Sequence, residues 1–148
     1  YTFKQETLPQ LREEYIATGD VAYLHGDFPI PVSDWSQPAA MAARAVQAEA
    51  GMEAFWDYSE ALYANQGELD YTAFAEIADG IEADVDGATI EEMVRDEQTW
   101  PVVEDSKTTA EDAGVTGTPG VLVDGQFVEP EQERAYVDVI RETIDQAL

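Results

Sequence analysis

Residues 114–128 read Gly-Val-Thr-Gly-Thr-Pro-Gly-Val-Leu-Val-Asp-Gly-Gln-Phe-Val. Two short β-rich runs, 121–123 and 126–128, flank the pair Asp124-Gly125. Asp-Gly between such runs is the strongest short-range signal for a β-hairpin, because a type I′ turn needs positive φ at both central residues. The stretch therefore predicts a hairpin that follows a glycine-rich loop.

That loop contains Thr118-Pro119 at the entrance to the first strand. Proline has no N–H, so it is tolerated at the first residue of a strand or on a sheet edge. An X-Pro bond can be cis at modest cost, and a fixed cis-proline usually lies in a tight turn. Gly117 and Gly120 bracket the pair and permit unusual backbone angles. We predict that the Thr118-Pro119 bond is cis and lies at the end of a groove; the alternative is an ordinary hairpin preceded by a proline.

The charge balance is strongly acidic. The 148 residues include 32 Asp and Glu against 7 Lys and Arg, which gives a net charge of −25. Nucleic-acid binding is not expected, because phosphates require basic patches. A content of 45% hydrophobic and 10% aromatic residues predicts a folded core rather than disorder. Acidic residues spread along the whole chain favour a protein from a salt-loving microbe over one with a local acidic interaction surface.

The chain lacks the residue types that several classes of functional site require. The chain has no cysteine and one histidine, His25, so no metal, no cofactor and no Ser-His-Asp triad is expected. The hydroxyls of Thr2, Ser33 and Ser36 have no evident base beside them. No apolar run approaches the length of a membrane span, and no signal peptide is visible. The chain begins at Tyr1 rather than Met, which suggests a processed product, a trimmed chain or a fragment.

The predicted order of elements is helix, strand, helical block, hairpin, helix. Residues 21–25 predict a buried strand, closed by Gly26. Gly51 predicts a break inside the long helical region. Aromatic and Met stripes at helical spacing are read as core rather than as a cofactor site. Helices are predicted over 2–17, over 39–50 and from 52 to near 65–67 after a Ser36 N-cap, over 71–81, from a Thr89 capping box, over 102–113, and from Pro130 onward.

The loop and hairpin at 115–125 resemble the cis-proline loop and following hairpin of thioredoxin-fold proteins, especially the DsbA-like thiol-disulfide oxidoreductases. Residues 1–9 look like the helix after that family's redox motif, 26–29 resemble the end of its second strand, and 55–66 are similar to its insertion helices. The resemblance covers essentially the whole chain. It implies an α/β thioredoxin-like fold in a single domain over 1–148, with a helical insertion at about 36–100.

The resemblance also implies a substrate site. In the family this loop faces a Cys-x-x-Cys motif, and the residue before the proline offers backbone hydrogen bonds to a substrate peptide. The corresponding positions here are Gly117, Thr118 and Pro119. An aromatic residue often follows the second cysteine, and Tyr1 looks like that residue. The motif and the first strand, which lies between the second strand and the hairpin, are then expected upstream of Tyr1.

Loss of that strand would leave two sheet edges unpaired, which is costly for backbone groups. An upstream segment, a strand exchanged from a second copy or a cleaved N-terminal peptide that stays bound could fill the space.

Three functions are compatible with these observations. The first is a thiol-disulfide oxidoreductase acting on protein disulfides, with its cysteines upstream of the chain and an oxidising compartment outside the cytosol. The second is a cysteine-free thioredoxin-like module that only binds peptides. The third is a non-redox enzyme of the kappa glutathione-transferase or isomerase type, for which no nucleophile is visible. Protein or peptide substrates are the partners that the first two imply.

Overall fold

The structure is a computed structural model that describes residues 3–148. Tyr1 and Thr2, which carry the predicted aromatic and hydroxyl groups, lie outside the described residues. The described chain forms two compact units. One unit combines the residues up to Gly26 with Thr109–Leu148, and the other is Asp27–Thr108.

The first unit begins with a helix whose hydrogen-bond spacing changes along its length. A π-helical turn at Phe3–Thr7 leads into α1 (Leu8–Leu11), and a second π-helical turn follows at Arg12–Ile16. Pro9 lies in the first turn of α1, directly after the π-helical turn, where the hydrogen-bond spacing changes. Gly19 follows with a φ of +86° and donates its N–H to the carbonyl of Ile16 at 3.1 Å. The predicted first helix and its glycine stop are confirmed over the described residues.

The predicted strand at 21–25 is wrong. These residues belong to no strand, and Ala22, Tyr23 and Leu24 are exposed rather than buried. A strand is defined by pairing with a neighbour, and the sheet of the described residues contains two strands, β1 (Leu122–Val123) and β2 (Gln126–Phe127). The described residues therefore contain both helices and a sheet, as the predicted α/β class requires, but they are largely helical. Their sheet consists of this two-stranded hairpin.

The hairpin itself follows the prediction. Its strands are antiparallel, with Leu122 opposite Phe127 and Val123 opposite Gln126. The turn residues Asp124 and Gly125 have φ values of 49° and 79°, so both are positive as a type I′ turn requires. The Asp-Gly pair alone was sufficient to predict the turn, because the conformation of a two-residue turn depends on the backbone preferences of those two residues.

The last helix, α6 (Tyr136–Ala147), begins later than predicted. The sequence places its start at Pro130, but Ala135 is still extended, with a ψ of 134°. The apolar periodicity only becomes continuous at Tyr136, from which Val139, Ile140 and Ile144 are buried. These three pack with Leu11 and Val128 in the core of the first unit, whereas Leu148, predicted on the same face, is 71% exposed.

One ion pair and two hydrogen bonds also join the first helix to α6. The Arg141 guanidinium contacts both carboxylate oxygens of Glu14, at 2.6 and 2.7 Å, and donates to Gln10 at 2.9 Å. This bidentate pairing holds the pKa of Glu14 below its ordinary value. The hydroxyl of Tyr15 donates to Asp145 at 2.9 Å on the same pair of elements.

The second unit is helical. Its helices are α2 (Ser36–Ala64), α3 (Tyr71–Gly80), α4 (Gly87–Arg95) and α5 (Trp100–Asp112), the last continuing into residues of the first unit. Gly51 has a φ of 88° and a ψ of −172°, so α2 consists of two helical segments across a kink, as predicted. Trp35, and not Ser36, precedes the first helical residue of α2, so the predicted Ser36 N-cap is wrong by one position.

Aromatic and branched side chains fill the core of this unit. Phe55, Tyr58, Phe74, Ile90 and Val103 are each 0% exposed. The hydroxyl of Tyr58 donates to the carbonyl of Phe74 at 3.0 Å, which satisfies the polar end of a buried ring. Burial raises the pKa of Tyr58 well above its ordinary value. The predicted reading of the aromatic stripes as core is confirmed for these rings.

Helix α4 is capped by Asp86 rather than by Thr89. The Asp86 carboxylate accepts from the backbone N–H of Thr89 at 3.0 Å and from its hydroxyl at 2.6 Å. The sequence pattern Thr-Ile-Glu-Glu places the cap at Thr89, three residues too late. The carboxylate of Asp86 takes both Thr89 donors, so the helix starts at Gly87.

The two ends of the second unit are joined through Asp27. Its backbone N–H donates to the Ser106 hydroxyl at 2.7 Å. Its carboxylate pairs with Arg44 at 2.5 Å, and the two side chains are 3% and 12% exposed. Arg44 also donates to Gln47 at 2.6 Å and lies over the Phe55 ring, 4.8 Å from its centroid. The buried Asp27 carboxylate is tolerated here because the Arg44 guanidinium pairs with it, and Gln47 and Phe55 hold that guanidinium in place.

No helix in the part of the chain that the structure describes is both long and apolar enough to cross a membrane. The residues from 3 to 148 bring together no group of three His, Cys, Asp or Glu side chains that could hold a metal ion.

Candidate functional site

The loop at 116–120 is fixed at its start by the end of α5. Gly114 adopts a φ of +95° and donates its N–H to Glu111 at 2.9 Å. The next N–H, that of Val115, donates to Ala110 at 2.9 Å. The Val115 side chain is only 4% exposed, so it anchors the loop in the first unit. The helix therefore ends at a glycine in the left-handed region, as many helices do.

The Thr118-Pro119 bond is cis, which confirms the prediction made for it. Thr118 and Pro119 are exposed and Gly117 is half-buried. Gly120 lies so close to the start of the loop that a Cβ built on it would be 2.5 Å from Val115 Cγ1. The absence of a side chain at Gly120 is what lets the loop fold back on itself.

An open cavity of about 500 Å³ lies against this loop. Its walls come from the loop, from β2 and the residues after it, and from the first residue of α6. The lining residues are Thr116, Gly117, Thr118, Pro119, Phe127, Glu129, Pro130 and Tyr136. Two prolines and two aromatic rings among these give the cavity mainly apolar walls. A volume of this order lies in the usual range for ligand-binding pockets.

Tyr136 forms a fixed part of the wall. Its hydroxyl donates to the carbonyl of Val128 at 2.9 Å, which ties the ring to the end of the hairpin. Burial raises the pKa of Tyr136 above its ordinary value. The ring of Phe3 lies beside it, with centroids 6.4 Å apart and planes at 52°. The beginning of the first helix is therefore next to the cavity.

The chemistry of the lining residues is that of binding. Thr116 and Thr118 offer hydroxyls, Tyr136 offers its ring, and Glu129 offers a carboxylate. The chain contains no thiol, and its one imidazole, His25, does not line the cavity. The exposed backbone around Thr118 can hydrogen-bond an extended peptide, and the rings can bury one of its side chains.

All three predicted site residues, Gly117, Thr118 and Pro119, lie together on the loop side of the cavity. Four further lining residues were not predicted from the sequence, namely Phe127, Glu129, Pro130 and Tyr136. The hairpin register could have indicated Phe127, because a tight hairpin returns the second strand towards the loop. Tyr136 gave no local signal, because its place depends on where α6 begins.

Comparison with known proteins bears on this geometry. A thioredoxin family profile matches residues 1–145, which is almost the whole chain. The chain belongs to the DsbA-like thioredoxin family. The loop, the cis-proline and the hairpin described above are therefore those of a DsbA-like thioredoxin protein, and the resemblance noted in the sequence is confirmed.

A solved structure agrees with this assignment. The fold of this DsbA-like protein is similar to that in the crystal structure of oxidised BdbD from Bacillus subtilis, with a TM-score of 0.76. The aligned sequences are 22% identical, and the match covers 98% of this chain and 78% of the BdbD chain. This likeness shows a thioredoxin-like fold. A search of curated protein sequences found no significant match.

Proposed function

We propose that this chain is part of a thiol-disulfide oxidoreductase that acts on protein disulfides, with catalytic cysteines upstream of Tyr1. The observation that carries the proposal is the contact between Phe3 and Tyr136. Tyr136 and the Thr118-Pro119 loop line the same cavity. A motif placed directly before the first helix would therefore lie within a few residues of that cavity.

The chemistry requires those upstream residues, because the 148 residues contain no cysteine. A cysteine at a helix N-terminus has its thiolate stabilised by the helix dipole and by backbone N–H groups. The thiolate attacks one sulfur of a substrate disulfide, forms a mixed disulfide and releases the other substrate sulfur as a thiolate. The second cysteine then attacks the mixed disulfide, so the motif is oxidised and the substrate is reduced. The reverse sequence oxidises a substrate dithiol.

The described residues would supply the substrate site. In this proposal the backbone at Gly117 and Thr118 pairs with an extended peptide, and Pro119 shapes the floor beneath it. A single domain over 1–148, with a helical insertion at about 36–100, belongs to the same proposal. We also propose a location outside the cytosol, where disulfides persist.

A second candidate is a thioredoxin-like module that binds peptides without redox chemistry. The observation that favours it is the complete lack of cysteine together with a formed cavity. The two candidates share the same peptide site and differ only in what precedes Tyr1.

The test is to sequence the native gene upstream of Tyr1 and to purify the native chain with that segment. If a Cys-x-x-Cys ends just before Tyr1, the extended protein should cleave a fluorophore–quencher peptide disulfide in the presence of a thiol reductant. Two controls should be inactive: the chain starting at Tyr1, and the extended chain with both motif cysteines replaced by serine. An upstream segment without cysteines, or an extended chain no faster than its serine variant, would overturn the redox proposal in favour of the binding module.

A further inference from the structure

We propose that the cavity selects a basic side chain of the bound peptide, with Glu129 as the residue that pairs with its charge. The inference rests on the proposed peptide binding and adds to it the class of side chain that the site prefers. The aliphatic part of a lysine or arginine would lie against the rings of Phe127 and Tyr136. The charged group would then reach the carboxylate at the exposed side of the cavity.

The walls suit the stem of such a side chain. Phe127 and Tyr136 are half-buried, and Pro119 and Pro130 complete an apolar surface around them. Lysine and arginine bury their methylene groups along apolar surface while the charged end stays in water. The hydroxyl of Tyr136 is already bonded to Val128, so its ring rather than its polar end is offered to a ligand. A guanidinium over such a ring gains further attraction.

The charge of the lining points to a cation. Among the described residues that line the cavity, Glu129 alone is charged. Its carboxylate makes no ion pair or hydrogen bond within the described residues. The cation nearest to it in sequence, Arg134, is engaged by Glu131 at 3.3 Å and by Glu142 at 2.7 Å. An acidic ligand side chain would therefore meet a like charge, whereas a basic one would meet a carboxylate that no other described residue pairs with.

The net charge of the chain must be separated from this local effect. A charge of −25 attracts any basic peptide to the surface at low salt. At physiological ionic strength the Debye length is about 8 Å, so distant carboxylates contribute little to a bound side chain. Glu129 is within the lining itself and should act at shorter range. Two variants with equal net charge can distinguish these contributions.

The experiment measures peptide binding to the full native protein by NMR, followed at the amides of Thr118, Phe127 and Tyr136. Three cysteine-free peptides share the sequence acetyl-Gly-Ser-Leu-X-Ser-Gly-amide, where X is arginine, citrulline or glutamate. Citrulline has nearly the shape of arginine without its charge. The arginine peptide should bind more tightly than the citrulline peptide by about two- to fivefold, as expected for one partly exposed ion pair. The glutamate peptide should bind most weakly.

Glu129→Gln should remove the preference for arginine over citrulline. Glu133→Gln removes the same charge from an exposed residue that does not line the cavity, and it should keep the preference. Equal binding of arginine and citrulline peptides, or an equal loss in both variants, would overturn the inference while leaving peptide binding intact. If none of the three peptides shifts the three amides, peptide binding at this site fails, and with it the basis of the inference.

Discussion

The single residue with the strongest effect on the loop is Gly120. A Cβ at this position would lie 2.5 Å from Val115 Cγ1 and 3.1 Å from the carbonyl oxygen of Gly117. Val115 is 4% exposed and branched at Cβ, so its methyl group has little room to move. The cis-proline loop therefore depends on a glycine one residue after the proline.

We expect Gly120→Ala to lower the free energy of unfolding by about 1–3 kcal/mol, the usual cost of inserting a methyl group into a filled space. The measurement is urea denaturation of the purified protein, followed by tryptophan fluorescence and circular dichroism. Gly67→Ala is the matched control, because a Cβ at Gly67 meets no atom within 4 Å. Equal midpoints for wild type and Gly120→Ala would show that Val115 moves aside freely.

At the scale of secondary-structure elements, the start of α4 has a clear electrostatic basis. Asp86 caps the helix, and its hydrogen bonds with the hydroxyl and N–H of Thr89 hold the pKa of the carboxyl below its ordinary value of 3.8. A carboxyl whose pKa is lower in the folded state stabilises the fold while it is ionised. That stabilisation is complete above the unfolded pKa and is lost as pH falls through the lower folded pKa.

Asp86→Ala should therefore lower the melting temperature at pH 7, and the difference from wild type should narrow below pH 3.8. Asp86→Asn should melt close to wild type at pH 7, because asparagine caps a helix about as well. Asp84→Ala removes an exposed carboxylate two residues earlier and corrects for the change in net charge. A difference between Asp86→Ala and wild type that is constant from pH 7 to pH 3 would contradict the role of the ionised cap.

These elements also show what the sequence could and could not predict. The hairpin turn, the Gly51 kink and the cis bond at Pro119 were predicted correctly, since each depends on backbone preferences within a few residues. The strand at 21–25 was wrong because a strand exists only with a neighbour, and pairing is not local. The α4 start was misplaced because two adjacent candidates, Asp86 and Thr89, competed for one cap.

The residues of the candidate site likewise fall into those that local sequence predicts and those that depend on the tertiary structure. Its loop residues, Gly117 to Pro119, are contiguous and carry a motif. Phe127, Glu129 and Tyr136 come from different elements and meet the loop only through the fold. A sequence pattern can therefore locate one side of such a cavity, but the residues that give it selectivity need the tertiary structure.

For the whole molecule, the dominant property is the net charge of −25 on 148 residues. Carboxylates at this density repel one another in the compact state, and unfolding moves them apart. Some are paired, as Glu14 is with Arg141, but 7 basic residues cannot pair with 32 acidic ones. Stability should therefore rise as salt screens the repulsion.

We expect the melting temperature to increase with sodium chloride well beyond physiological concentration. Screening should level off near 1 M, where the Debye length is about 3 Å. Scanning calorimetry from 0.05 to about 3 M salt measures this, and a continued rise past 1 M would indicate specific ion or solvation effects. A melting temperature that stays flat or falls over the whole range would contradict adaptation to high salt.

The hydrogen bond between Asp27 and Ser106 has a further consequence. The segment between these residues leaves and rejoins the rest of the chain at points only 2.7 Å apart, measured from the Asp27 nitrogen to the Ser106 oxygen. When the two ends of a segment lie this close together, the segment can be lengthened, shortened or replaced by a short turn without stretching the flanking backbone. Replacement of residues 27–106 by a short turn should therefore leave the flanking backbone in place.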